Sequence, residues 1–275
     1  MEKQTCKTCS NKFSGNYCNI CGEKVITSED QKLKYLIGEF INAISFADSK
    51  FWRTLKSILL NSGRFSRDFM DGRRKKYMRP IAIFLFANLV YFLFPLFTTF
   101  HSSLGNQIST YNFVHSDLAS ELVHKKVANE QTTFQEYEVV YNSKTKELSK
   151  VFLILVVVII ALLQWLFHNP TRFYLSEHLV LSFELVTFMI IVGVQFQGVL
   201  MHFLRFIGLG HIISEMLVTS IALVLLLYFL IRSEISFFNF SKLRAILNST
   251  LGIISFAVAI YTYRIFLFFI TFWST

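Results

Sequence analysis

Four cysteines stand at Cys6, Cys9, Cys18 and Cys21, and the rest of the 275 residues contain none. The pattern is Cys-x2-Cys, eight residues, then Cys-x2-Cys followed by Gly22. Two residues between cysteines let both thiolates of a tight turn reach one ion, and Gly22 suits the positive φ such turns often need. Two such knuckles offer four sulfurs at tetrahedral corners, the ligand set of a closed structural Zn2+ site. Residues 1–24 are too few for an apolar core of their own, so the metal supplies most of their folding free energy. A haem attachment needs His where Gly22 stands, a thioredoxin-like motif does not come in pairs, and a disulfide framework needs an oxidising compartment. Iron in a rubredoxin-like site shares the spacing and stays open. With no spare ligand position, the metal is structural rather than catalytic.

A second chemical group is polar residues inside long apolar runs. Ionisable side chains there are costly and face protein or water. Glu184 and Gln164 fall at similar depth toward one face, where they can pair. Glu215, with His211 one turn away, and Arg264 fall toward the other face, where the acid and the guanidinium can pair. Gln195, Gln197 and His202 add polarity. They read either as a polar path for a proton, ion or headgroup, or as helix glue with Arg264 and Glu215 snorkelling; the second reading is preferred. The seven histidines match no His-Glu-x-x-His pattern; His101, His202 and His211 could cluster at the outer ends of three spans, and exposed interfacial histidines are preferred there to a second metal site. There is no Gly-rich phosphate loop, no Ser-x-x-Lys and no Gly-x-Ser-x-Gly, so no catalytic constellation is found.

The elements that carry these residues follow from composition. The chain is 53% hydrophobic and only 16% charged, far below the quarter usual in soluble domains, which marks a membrane protein. Of its 27 Lys and Arg, 16 lie in residues 1–80. Amphipathic helices are expected from Lys32 (Leu33, Leu36, Ile37, Phe40) and around Phe51, Trp52, Leu55 and Ile58. Spanning helices are expected at 81–100, kinked by Pro95, and at 149–167, 179–201, 211–231 and 249–272. Residues 101–148 form the largest loop outside the membrane, with alternation over Thr132–Val140 hinting at a strand. With five spans, Lys and Arg divide 20 to 6 in favour of the N-terminal side, which places the N-terminus in the cytoplasm and the C-terminus outside. That side is reducing, which disfavours disulfides.

The run Arg73, Arg74, Lys75, Lys76, Tyr77 precedes the first span and can contact anionic headgroups, each cation contributing about 1 kcal/mol near the surface. The alternative is that it only fixes orientation. Nucleic acid is not an expected partner, because the basic part with aromatics is small.

The order Cys-x2-Cys, Tyr17-Cys18-x2-Cys21-Gly22, then Thr54-Leu55-Lys56-x-x-Leu59-Leu60-x-x-Gly63, then Arg67-Asp68-Phe69-Met70-x-Gly72-x-Arg74-x-x-Tyr77-x-x-Pro80 resembles a bacterial membrane family known only as a domain of unknown function. The resemblance covers about residues 6–90. It implies a bacterial origin, an N-terminal zinc ribbon and a bundle of spans, and it brings no activity. Family members have Pro where Ser62 stands, so a softer turn is expected there.

The sequence thus predicts an all-α membrane protein: a zinc ribbon (1–24), amphipathic interfacial helices with a basic juxtamembrane segment (32–79), and a bundle of about five transmembrane helices (80–275) in a bacterial inner membrane. The expected function is a non-enzymatic adaptor or regulator with a cytoplasmic docking module for a protein partner. The alternative is a transporter or lipid-handling protein using Glu184, Glu215 and Arg264.

Overall fold

A computed structural model describes residues 4–6, 8–21, 49–96, 99–109, 115–168, 173–210 and 214–275, the side chains of Ser49 and Glu215 excepted. The expected helix from Lys32, Gly22 and His211 lie outside the described residues. The chain divides into two compact units, residues 1–52 and 53–275.

In the first unit, β1 (Gln4–Thr5) and β2 (Lys12–Phe13) pair antiparallel, with Gln4 opposite Phe13. Ser10, at φ 59°, turns the chain between them. Cys6, Phe13 and Cys18 form the small buried cluster beneath.

The second unit is helical. Helix α1 (Ser49–Leu60) leads into it and is followed by α2 (Arg64–Met70) and a single 3-10 turn (Arg74–Lys76). Pro80 then opens α3 (Pro80–Leu93), where its fixed φ suits the first turn. Pro95 ends this helix instead of kinking it. The residue before a proline is pushed out of the helical region, and Phe94 sits at φ −126°, ψ 70°. The Tyr91 hydroxyl accepts from the backbone N–H of Thr99 (3.1 Å) and Phe100 (3.3 Å), fixing the chain beyond.

The loop expected at 101–148 is instead helical: α4 (Leu104–Ile108), α5 (Ser116–Asn129) and α6 (Phe134–Phe152). The strand hint over Thr132–Val140 is corrected, and the cause is local. Thr133 and Glu136 form a reciprocal capping box that starts α6. The buried stripe Tyr137, Tyr141, Thr145, Ser149 repeats every four residues. These helices bury Leu104, Val123 and Tyr141 against Phe268, near the end of the last helix.

Helix α6 meets α7 (Ile154–Phe167) at a bend of 49°. A break in a helix strands carbonyls one turn back. Here the Lys150 carbonyl accepts from Asn88 Nδ2 (2.8 Å), and the Ser149 carbonyl, which keeps the Leu153 N–H (3.2 Å), also accepts from the Tyr263 hydroxyl (3.3 Å).

The next stretch is α8 (Leu175–Phe188), a π-helical segment (Met189–Phe196) and α9 (Gln197–Phe206), together 32 residues of high mean hydropathy. Helices α10 (Glu215–Ser236) and α11 (Lys242–Ser274) complete the chain. On α11 the buried positions Ala245, Ser249, Gly252, Ser255 and Ala259 make a small-residue stripe that lets α10 approach. A Cβ on Gly252 would lie 2.9 Å from Leu230 Cδ2. At ~1.5 Å per residue α11 is ~50 Å long, more than a ~30 Å bilayer core needs, and its last turns hold the α4–α6 cap.

Among the described residues, four helices are long and apolar enough to cross a membrane, or five if the bent α6–α7 pair is one span. This is a multi-pass membrane protein, and the exposed Leu85, Leu89 and Leu93 on one face of α3 suit contact with acyl chains.

Candidate functional site

The four cysteines come together. All four Sγ atoms lie within 4.8 Å of one another. Cys6 and Cys21 are 3.4 Å apart, Cys9 and Cys18 3.6 Å. A tetrahedral ion with Zn–S of ~2.3 Å requires sulfur–sulfur edges of ~3.8 Å, so the cluster is close to the size a metal needs. The knuckles also supply the right donors. The N–H groups of Cys9 and Thr8 lower the Cys6 thiol, and those of Cys21 and Ile20 bring Cys18 down to about 6, against the upward push of burial. Cys9 receives the N–H of Asn11, yet burial and the sulfurs of Cys18 and Cys6 hold its thiol up. Crowded thiolates repel one another, and a bound cation removes that cost. The residues therefore fit one metal ion held by four thiolates.

Glu184 is fully buried on α8, about 13 Å along the helix from Leu175. It does not reach for Gln164. Its Oε1 accepts from the Gly63 N–H (2.8 Å), and its Oε2 accepts from the Ser66 N–H (3.0 Å) and the Ser66 hydroxyl. The carboxylate thus caps the start of α2, where first-turn N–H groups have no intrahelical partner. Gly63 has φ 82° and lies against α10. A Cβ there would meet Ser236 Oγ at 2.5 Å and the backbone of Ser233 at 2.8 Å. The Ser236 hydroxyl donates to the Ser62 carbonyl, and Arg67 Nη1 donates to the Ser236 carbonyl at 3.1 Å. The α1–α2 corner is therefore clamped between α8 and α10.

Asp68 organises the basic run. It is buried and accepts from Tyr77 Oη (2.8 Å), Arg73 Nη1 (2.9 Å) and Lys76 Nζ (3.3 Å). Burial pushes its carboxyl up, but Tyr77, Lys76 and Arg73 together hold it below the usual range. The 3-10 turn at Arg74–Lys76 is shaped by this acid. Of the five residues expected to contact headgroups, Arg73, Lys76 and Tyr77 face Asp68, whereas Arg74, Lys75 and the neighbouring Arg79 line a cleft.

Three histidines away from the expected outer cluster are buried. His178 is fully buried, and His168 and His115 nearly so. His168 Nε2 lies 3.0 Å from the Glu234 carboxylate, which also accepts from Asn248 Nδ2 at 3.0 Å. The His168 ring stacks on Phe238 at 4.8 Å. His168, His178 and His202 each place Nδ1 on the carbonyl four residues back, so a local bond settles half of each ring's polarity.

Toward the other end, Arg264 Nη2 donates to the Thr99 carbonyl at 2.9 Å. Gln195 Nε2 donates to the Val90 (3.2 Å) and Phe94 (3.1 Å) carbonyls, and Gln197 Nε2 to that of Val218 (2.7 Å). These polar groups join helices.

Sequence reasoning missed Glu234, Asn248, Gly63 and Ser66. Glu234 had a visible signal, an acid in the last turn of an apolar helix. Asp68 lay inside the quoted motif but was overshadowed by the cations around it.

A family described as Protein of unknown function (DUF3667) matches residues 48–92. The match takes in α1, Gly63, Asp68, the basic turn, Tyr77 and nearly all of α3; the cysteine module lies outside it. No curated protein and no solved structure matches the chain.

Proposed function

We propose that the chain is a non-enzymatic adaptor or regulator in a bacterial inner membrane. Its N-terminus lies in the cytoplasm and its C-terminus outside. The four-cysteine module is a zinc ribbon that holds structural zinc and docks a protein partner, and the segment to residue 79 lies along the cytoplasmic face.

The observation that carries the reading is Glu184. An acid serving transport needs to exchange protons or ions with a path, whereas this one is saturated by the α1–α2 corner. Arg264 is likewise tied to the Thr99 carbonyl. Both contacts favour a closed scaffold over the transporter or lipid-handling alternative. Tyr17 and Ile20 stand exposed on the module and suit an apolar contact with a partner.

Photo-crosslinking from Tyr17 or Ile20 in cells tests this. A discrete protein adduct that disappears with Cys9→Ser supports docking. Adducts no different from those at an exposed position outside the module, such as Glu121, overturn it. Proton or solute flux in proteoliposomes that Glu184→Gln abolishes without unfolding the protein would establish the transport alternative.

A further inference from the structure

Asp68 takes up Arg73 and Lys76, and this leaves three cations with a different role. Arg74, Lys75 and Arg79 rim a cleft of about 630 Å³ at the start of α3. That volume is in the range of ligand pockets. Arg74 is held over the Phe69 ring at 5.2 Å, so its guanidinium is placed and not free to wander. The other wall is apolar: Ile81 from α3, and Val180 and Phe183 from α8. Measured along α8 from Leu175, these two residues lie ~7 Å and ~12 Å in. The cleft therefore runs from a cationic mouth to an apolar floor that follows the helices inward.

We infer that this cleft binds an anionic phospholipid. The headgroup phosphate sits among Arg74, Lys75 and Arg79, and an acyl chain lies on Ile81, Val180 and Phe183. The charge pattern selects the occupant. A free phosphate would satisfy the cations but leave the apolar floor wet. A zwitterionic lipid would fill the floor but bring its own cation to a mouth that already holds three. The inference needs only that the bundle sits in a bilayer, and it is separate from docking at the cysteine module.

The test uses the full-length protein in nanodiscs and native mass spectrometry, with phosphatidylglycerol diluted into phosphatidylcholine. One phosphatidylglycerol should be retained in preference to phosphatidylcholine. A Lys or Arg near a phosphate is worth about fivefold in affinity, so R74Q, K75Q and R79Q together should weaken retention about a hundredfold. Val180→Phe keeps every cation and fills the floor; it should also weaken phosphatidylglycerol retention. A thermal midpoint equal to that of the parent establishes that each variant is folded. Equal retention of the two lipids overturns the inference, as does an equal loss when Lys56 and Arg64, which do not line the cleft, are replaced by Gln. Displacement of the lipid by soluble glycerol phosphate would mean a free-phosphate site and would overturn it too.

Discussion

Replacing Glu184 with Ala removes the acceptor for three donors on the α1–α2 corner. Their fates differ. The Ser66 hydroxyl already lies 3.4 Å from the Val180 carbonyl and can turn to it, so its loss counts little. The N–H groups of Gly63 and Ser66 have no such option, because both residues are buried against α8 and α10. A buried donor left unpaired costs ~1–3 kcal/mol, so the two together cost ~2–6 kcal/mol. In a protein of this size that corresponds to a drop in unfolding midpoint on the order of 10 °C. Glu184→Gln keeps one carbonyl oxygen but turns an NH2 group toward a donor, so about half the loss is expected. The assay is thermal unfolding in nanodiscs, with Ser66→Ala included for a double-mutant cycle. Ser66→Ala alone should cost about 1.5–3 kcal/mol, the range of a hydrogen bond to a charged group, and clearly less in the Glu184→Ala background, so the coupling is non-zero. If Glu184→Ala lies within ~0.5 kcal/mol of the parent, the carboxylate is not the cap described, and the corner is held by packing alone.

Gly63→Ala should destabilise at least as much as Glu184→Ala, since the new methyl meets the Ser233 backbone at a positive φ; recovery of native expression and midpoint would contradict this. Asp68 contributes stability above the unfolded carboxylate pKa, and that contribution is lost as pH falls through its lowered folded value. Asp68→Asn should therefore flatten the acid limb of a stability profile, and an unchanged limb would assign it to other groups. Purified protein should carry one zinc per chain by elemental analysis, with Cys9→Ser or Cys21→Ser releasing it; metal-free protein prepared without chelator would refute the site. Cysteines placed at Glu121 and Ser176, both exposed, should label from outside and inside the cell respectively; cytoplasmic labelling of position 121 would overturn the five-span topology.

The parts of the fold legible in the sequence are those a local rule decides. Apolar runs of the length a bilayer needs locate the spans, and Cys-x2-Cys spacing brings four sulfurs together because each knuckle is set by its own backbone. What was not legible depends on contacts distant in sequence. The alternation over Thr132–Val140 suggested a strand, although Thr133 and Glu136, three residues apart, already formed the helix-starting pair. Glu184 and Gly63 are 121 residues apart. Nothing local says that an acid in a span will meet a glycine corner rather than a glutamine at similar depth. One physical constraint could have narrowed the choice. Non-helical backbone packed inside a membrane bundle must find partners for its N–H groups. A Ser62-Gly63 break between two helices, next to spans holding few carboxylates, leaves Glu184 as a natural acceptor. The same logic applies to Asp68. A row of cations before a span suggests lipid contact for all of them, but a single acid within the row divides them. Arg73 and Lys76 fold the turn, and Arg74, Lys75 and Arg79 are left facing outward. Reading the anion first, and asking which cations it can reach, separates structural charge from charge available to a ligand.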